Sequence, residues 1–205
     1  QRQRAPFVHV SDLRQRAQLD KRDMEALADA DALASLSGHR HQSQWQIMAL
    51  EEAKPLLQNE HRQRADFFND NVALPAPGIA EEVLADYRAT GVTLRAHPMS
   101  LLRHKPPFNQ CKRYSDLAQV GNNRLVRIAG LVTCRQRPGT ASGVLFLTLE
   151  DETGNSNIVV WQSTQQRFRK ELMTAQLLLV KGTLEKKDNV THIIAGALVD
   201  YTSEL

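Results

Sequence analysis

Apolar residues in the first half of the chain recur every three or four positions, and in the second half they alternate. Ser11 opens a capping pattern before Asp12-Leu13-Arg14-Gln15-Arg16-Ala17, with the acid in the first turn and cations near the end. After a turn at Gln18-Leu19-Asp20, Asp20 is positioned to cap a helix from Lys21 to Ala30 whose Met24, Leu27 and Ala28 share one face. Leu33 and Leu36 begin another stripe, Ser37-Gly38 breaks it, and the spacing predicts a helix from Gln42 to Ala53 with Trp45, Met48 and Ala49 on one side. Helices this short do not persist alone, so residues 1–53 are expected to pack together as a helical domain.

Residues 54–123 read as a linker with short helices. Pro55 ends the first unit, and Leu74-Pro75-Ala76-Pro77-Gly78 has the composition of a connection. An amphipathic helix follows from Ile79 to Thr90, stopped by Gly91, and a shorter one is expected from Pro98. Pro106-Pro107 and Gly121-Asn122-Asn123 mark a second linker. From Leu125 the period becomes that of strands: Leu125–Cys134, Val144–Glu150, Asn157–Trp161, Leu177–Glu185 and Val190–Val199. A helix from Thr164 to Met173 lies between the third and fourth. Five strands with one helix after the third is the order of an OB barrel, a scaffold often used for oligonucleotides. The expected fold is therefore α+β and multi-domain, a helix-hairpin-helix-type unit followed by a five-stranded OB-fold β-barrel over residues 124–205.

Composition refines this picture in three ways. The 205 residues carry 26 Lys and Arg against 23 acids, a net charge of +3, so whole-chain charge alone does not call for nucleic acid. The kind of cation says more: 18 are Arg and 8 are Lys, and the forked guanidinium pairs with phosphate and stacks on bases. Cys111 and Cys134 stand far apart without metal-ligand spacing and read as reduced thiols in a cytoplasmic protein. No apolar run approaches the roughly 20 residues of a membrane helix, and no signal segment follows the opening Gln1-Arg2-Gln3-Arg4. The absence of an initiator Met suggests a piece of a longer parent.

No catalytic grouping, nucleotide-binding glycine pattern or metal-ligand cluster stands out, so no catalytic residue, metal or cofactor is assigned. Glu150-Asp151-Glu152 is read as a solvated hairpin turn. For DNA, the barrel offers Arg127, Arg135 and Arg137 around its first strand and Lys186 and Lys187 at a hairpin. Arg135 and Arg137, in an expected loop, are the stronger phosphate candidates. Alternation puts Phe146 outside, though a bulge would reverse it, while Trp161 is read as core. In the helical unit Lys21 and Arg22 could reach a duplex backbone, although the turn beside them lacks the glycines that let phosphate approach. The paired aromatics of Arg64-Ala65-Asp66-Phe67-Phe68 either dock back onto a domain or anchor in a partner's pocket.

Several ordered motifs resemble the bacterial C-family DNA polymerases. Pro6-Phe7, Ser11-Asp12-Leu13, Leu27-Ala28, Ala30-Asp31-Ala32-Leu33, Gly38-His39-Arg40, Gln42 and Trp45 are similar to the second half of that family's tandem helix-hairpin-helix. Glu82-Val83, Asp86-Tyr87, Gly91, His97-Pro98-Met99 and Leu101-Leu102-Arg103 resemble the stretch after it. Gly130-Leu131-Val132, Arg135-Gln136-Arg137-Pro138 and Thr148-Leu149-Glu150-Asp151-Glu152-Thr153-Gly154 resemble its OB domain. The Trp45 region and the Arg135–Pro138 run are most similar to the error-prone, damage-inducible subgroup.

The resemblance implies a non-catalytic C-terminal part of an enzyme of translesion synthesis and damage-induced mutagenesis, with its barrel on single-stranded template. It places the palm with its Mg²⁺-binding aspartates, the PHP domain and the first hairpin upstream. It also implies a sliding-clamp peptide at residues 64–68, where Arg64 stands in place of the family's Gln and Phe67 and Phe68 are the anchors. Accessory mutagenesis proteins are further implied partners. The alternative is a protein-interaction module whose barrel never touches DNA.

Overall fold

In a computed structural model, residues 5–49, 72–139, 143–187 and 190–205 are described. The chain divides into two compact units at Arg95/Ala96. The change of period near residue 123 predicts a domain boundary there; residues 96–123 instead belong with the barrel.

The first unit contains α1 (Val10–Ala17), α2 (Lys21–Asp29), α3 (Ala34–Ser37), α4 (Arg40–Met48) and α5 (Ile79–Thr90). Val10, Met24, Ala28, Leu33 and Ile47 form its core, with Leu13, Leu19, Leu27 and Leu36 around them. Histidines cap two helices where other residues were expected. His9 Nδ1 accepts from Asp12 N, so Ser11 lies inside α1; His39 Nδ1 accepts from Gln42 N, starting α4 two residues early. Gln18 takes the left-handed conformation that turns α1 into α2.

So small an apolar core is supplemented by buried charge. Arg40 on α4 is buried, donating to Asp86 Oδ1 at 2.5 Å and pairing with Glu82 Oε2 at 2.9 Å, both on α5. Arg95 closes the cluster on Asp86, Glu82 and Asp31 at 2.6, 3.0 and 2.5 Å. Thr93 Oγ1 adds a hydrogen bond to Asp86 Oδ2.

The second unit is a closed barrel of β1 (Arg124–Gln136), β2 (Leu145–Asp151), β3 (Gly154–Val160), β4 (Leu177–Lys187) and β5 (Val190–Asp200), in the order β1-β2-β3-β5-β4. The pairs are antiparallel except β3 with β5. Alternate residues fill the interior, among them Val126, Ile128, Leu147, Leu149, Ile158, Val160, Leu184 and Ile193. The helix expected from Thr164 to Met173 is two: α7 (Gln162–Arg167) and α8 (Arg169–Thr174), broken at Phe168, with Leu172 closing the core.

Residues 96–123 are structured cover for the barrel. The short helix α6 (Pro98–Leu102), N-capped by His97, and a 3-10 turn at Phe108–Gln110 lay Met99, Leu102, Phe108 and Cys111 over Ala129, Leu177 and Leu179. This second layer explains why Leu177–Val180 is continuously apolar: that part of β4 is buried on both faces.

The segment is fastened by the acids expected to be a solvated turn. Arg103 clamps Glu152 through two bonds of 2.9 and 2.8 Å, and Arg113 adds a third at 3.1 Å. Asp151 is buried and accepts from the backbone of Tyr114, Thr153 and Gly154. Burial pushes the Glu152 carboxyl up, but hydrogen bonding from Arg103 and the nearby cations outweigh it, leaving it below its ordinary value.

Candidate nucleic-acid interface

Strand register fixes which side chains share the outer wall of the barrel. Leu125 on β1 is opposite Thr183 on β4, Thr183 opposite Ile194 on β5, Ile194 opposite Val159 on β3, and Val159 opposite Phe146 on β2. This row returns to β1 at Gln136, across from Phe146. Because Leu147 and Leu149 point inward, Phe146 points outward, as alternation predicts, and is 38% exposed. Leu125 at the other end is 85% exposed. A polar row runs alongside through Glu185, His192, Asn157, Thr148 and Cys134. A basic pair, Arg127 opposite Lys181, flanks the apolar row on its other side.

Sequence-predicted cations meet different fates here. Arg137, at the end of the β1 side of the β1–β2 connection, is exposed, as is Lys187 at the tip of the β4–β5 hairpin. Arg127 is exposed and donates to Gln110 Oε1 at 2.9 Å. Lys186 is partly committed, its Nζ bonding Ala118 O at 2.8 Å.

Arg135 is not in a loop. It pairs with Leu147 within the β1–β2 ladder, and its guanidinium donates to Leu172 O at 2.7 Å and to Ala175 O. Those carbonyls belong to the C-terminal end of α8, where a cation also meets the negative end of the helix dipole. Arg135 is thus a fastening for the helix that closes the barrel.

Trp161 corrects the core reading: it is 51% exposed. The sequence held the signal, since Ile158 and Val160 fill the interior and 157, 159 and 161 share the opposite parity. Lys181, a lone cation after Leu177–Val180, also faces solvent, as its place in so apolar a run requires.

In the helical unit Lys21 and Arg22 are exposed at the start of α2, with Lys21 3.9 Å from Glu25. The neighbouring turn amides already have acceptors: Asp23 N donates to Asp20 Oδ1 and Asp20 N to Asp23 Oδ2. Two carboxylates there oppose phosphate, so Lys21 and Arg22 lack the amide cradle that grips a backbone. Phe67 and Phe68 lie outside the described residues. Among the described residues no helix is long and apolar enough to cross a membrane.

Comparison with known proteins matches residues 126–200 to an OB-fold nucleic acid binding domain and residues 1–43 to a helix-hairpin-helix motif. The error-prone DNA polymerase of Saccharophagus degradans is 55% identical over 98% of this chain and 19% of its own length. That of Idiomarina loihiensis is 46% identical over the whole chain and 19% of its own. The chain therefore spans about a fifth of the length of these relatives. Among solved structures, asparaginyl-tRNA synthetase from Pyrococcus horikoshii aligns with 39% of this chain and 20% of its own, at 22% identity and a TM-score of 0.34.

Proposed function

We propose that this chain, homologous along its whole length to a region of the error-prone DNA polymerases, is a DNA-handling, non-catalytic part of such an enzyme whose barrel holds single-stranded template. The observation that carries this reading is the outer wall of the barrel: an apolar row ending in exposed Phe146, beside a basic pair, with Arg137 and Lys187 at neighbouring loops. Single-strand binders combine flat apolar surfaces for bases with cations for phosphates, and neither element selects a sequence. Sequence-independent holding suits a polymerase that must accept whatever template arrives.

In this reading, translesion synthesis and damage-induced mutagenesis belong to the intact enzyme in the cytoplasm. The Mg²⁺ that nucleotidyl transfer needs is bound outside this chain. Phe67 and Phe68 anchor a sliding clamp or an accessory mutagenesis protein, and Arg64 weakens that anchor by removing the amide of Gln.

Fluorescence anisotropy of labelled oligo(dT) across a salt series tests the central part. Binding tighter than roughly 1 mM at low salt is expected, weakening steadily as salt displaces phosphate contacts. Replacing Arg137 and Lys187 together with Ala should lower the slope of log affinity against log salt by roughly 1.4, about 0.7 for each phosphate. Absent or salt-independent binding would overturn the reading.

A further inference from the structure

Beside the apolar row, the end of β3 with β5, β4 and β1 brings an exposed indole, a bare stretch of backbone and two cations to one stretch of the outer wall. Val159 is opposite Ile194 in the parallel β3–β5 pair, so two residues further the register carries Trp161 to the level of Gly196. Gly196 is the residue skipped where the β4–β5 register shifts: Lys181 pairs with Ala197 and Gly182 with Ala195. Among the described residues a Cβ at Gly196 would meet only Lys181 O, at 3.5 Å, so no crowding from them demands glycine there. Beyond it stand Lys181 and, opposite Lys181, Arg127. Both are exposed, and among the described residues no carboxylate forms an ion pair with either.

The backbone that carries the indole is tethered. Trp161 occupies the N-cap position of α7, and α7 is tied down by Thr164 Oγ1 to Ala195 O at 3.2 Å and by Gln165 Nε2 to Val160 O at 2.8 Å. An exposed aromatic on a tethered backbone loses little freedom when a flat partner covers it.

We propose that Trp161, Lys181 and Arg127, arranged around Gly196, form a subsite for single-stranded DNA, with one base on the indole and its phosphates on the two cations. The subsite extends the strand's path from Phe146 and Val159 onto β5, β4 and β1, and it rests on the reading of the barrel as a single-strand binder. Charge selects this occupant. Unneutralised cations next to an aromatic face favour a polyanion that also carries rings, and the absent side chain at Gly196 leaves room for backbone to approach.

The test uses the chain's two tryptophans. In a Trp45→Phe background Trp161 is the sole indole, and oligo(dT) should quench its fluorescence saturably. In anisotropy, Trp161→Ala should weaken binding about tenfold, whereas Trp161→Phe stays within about threefold of wild type. Lys181→Ala should lower the salt slope by about 0.7. Arg88→Ala, an exposed cation of the helical unit, should match wild type. Unchanged melting temperatures confirm that the exposed substitutions leave the fold intact. If oligo(dT) binds but the Trp161 signal stays still and Trp161→Ala binds normally, the subsite is overturned and single-strand binding stands. If wild type does not bind, both fall.

Discussion

Replacing Arg40 with Met is expected to destabilise the helical unit by about 3 kcal/mol, the largest effect foreseen for any single side chain in it. The side chain is 4% exposed and pairs with both Glu82 and Asp86, which are themselves nearly buried. Met fills the volume but leaves two carboxylates in a poorly solvated site with, among the described residues, Arg95 and Thr93 for partners. Breaking such a cluster from one side costs about 3–5 kcal/mol, and Arg95 holds the loss near the lower end. Urea unfolding followed by Trp45, which lies on the same helix as Arg40, measures it in a Trp161→Phe background.

The pH dependence has a definite sign. Burial pushes the Asp86 carboxyl up, but hydrogen bonds from Thr93, Arg40 and Arg95 outweigh it and hold it below its ordinary value of 3.8. A depressed carboxyl contributes stability that is complete above the unfolded value and disappears as pH falls through the folded one. The gap between wild type and Arg40→Met should therefore be widest near neutrality and narrow below about pH 4.

Gly182→Val is expected to cost the barrel about 2–3 kcal/mol, roughly a 10 °C fall in its melting temperature. A Cβ at this position would collide with the Ile194 carbonyl oxygen and stand 2.7 Å from Ile193 Cγ2. The first obstacle is backbone of the paired strand, which no rotamer change relieves. Gly196→Ala is the internal contrast, since the one neighbour among the described residues lies at an ordinary 3.5 Å; its stability should stay within about 0.5 kcal/mol of wild type. Calorimetric melting of the three proteins makes the comparison. Equal losses at both glycines would contradict the close approach of β4 and β5.

The barrel was legible in the sequence because alternation at Val126/Ile128 and Leu147/Leu149 is a local signal, and the turns between strands carry their own residues. Residues 96–123 were not legible in the same way. Their prolines and polar residues read as linker, yet Phe108 and Cys111 are buried; the clue lay elsewhere, in a β4 run too apolar to have one solvated face. Arg135 looked like a loop cation because the length of β1 was underestimated, and its true partners, the carbonyls of α8, are nearly forty residues away in sequence. Asp151 and Glu152 depart from the solvated turn for the same reason: Tyr114 and Arg103 reach them only after folding. Trp161 is different. Strand parity alone turns it outward: the periodicity that Ile158 and Val160 set outweighs the apolar character of its ring.

At 23.1 kDa the chain is open to amide-resolved NMR, and a titration with oligo(dT) tests single-strand binding by the barrel most directly. Saturable shifts are expected at Phe146, Val159, Trp161, Lys181, Ile194 and Gly196, shrinking together as salt is raised. Shifts confined to residues 5–49, or none anywhere on the outer wall of the barrel at saturating oligonucleotide, would contradict it.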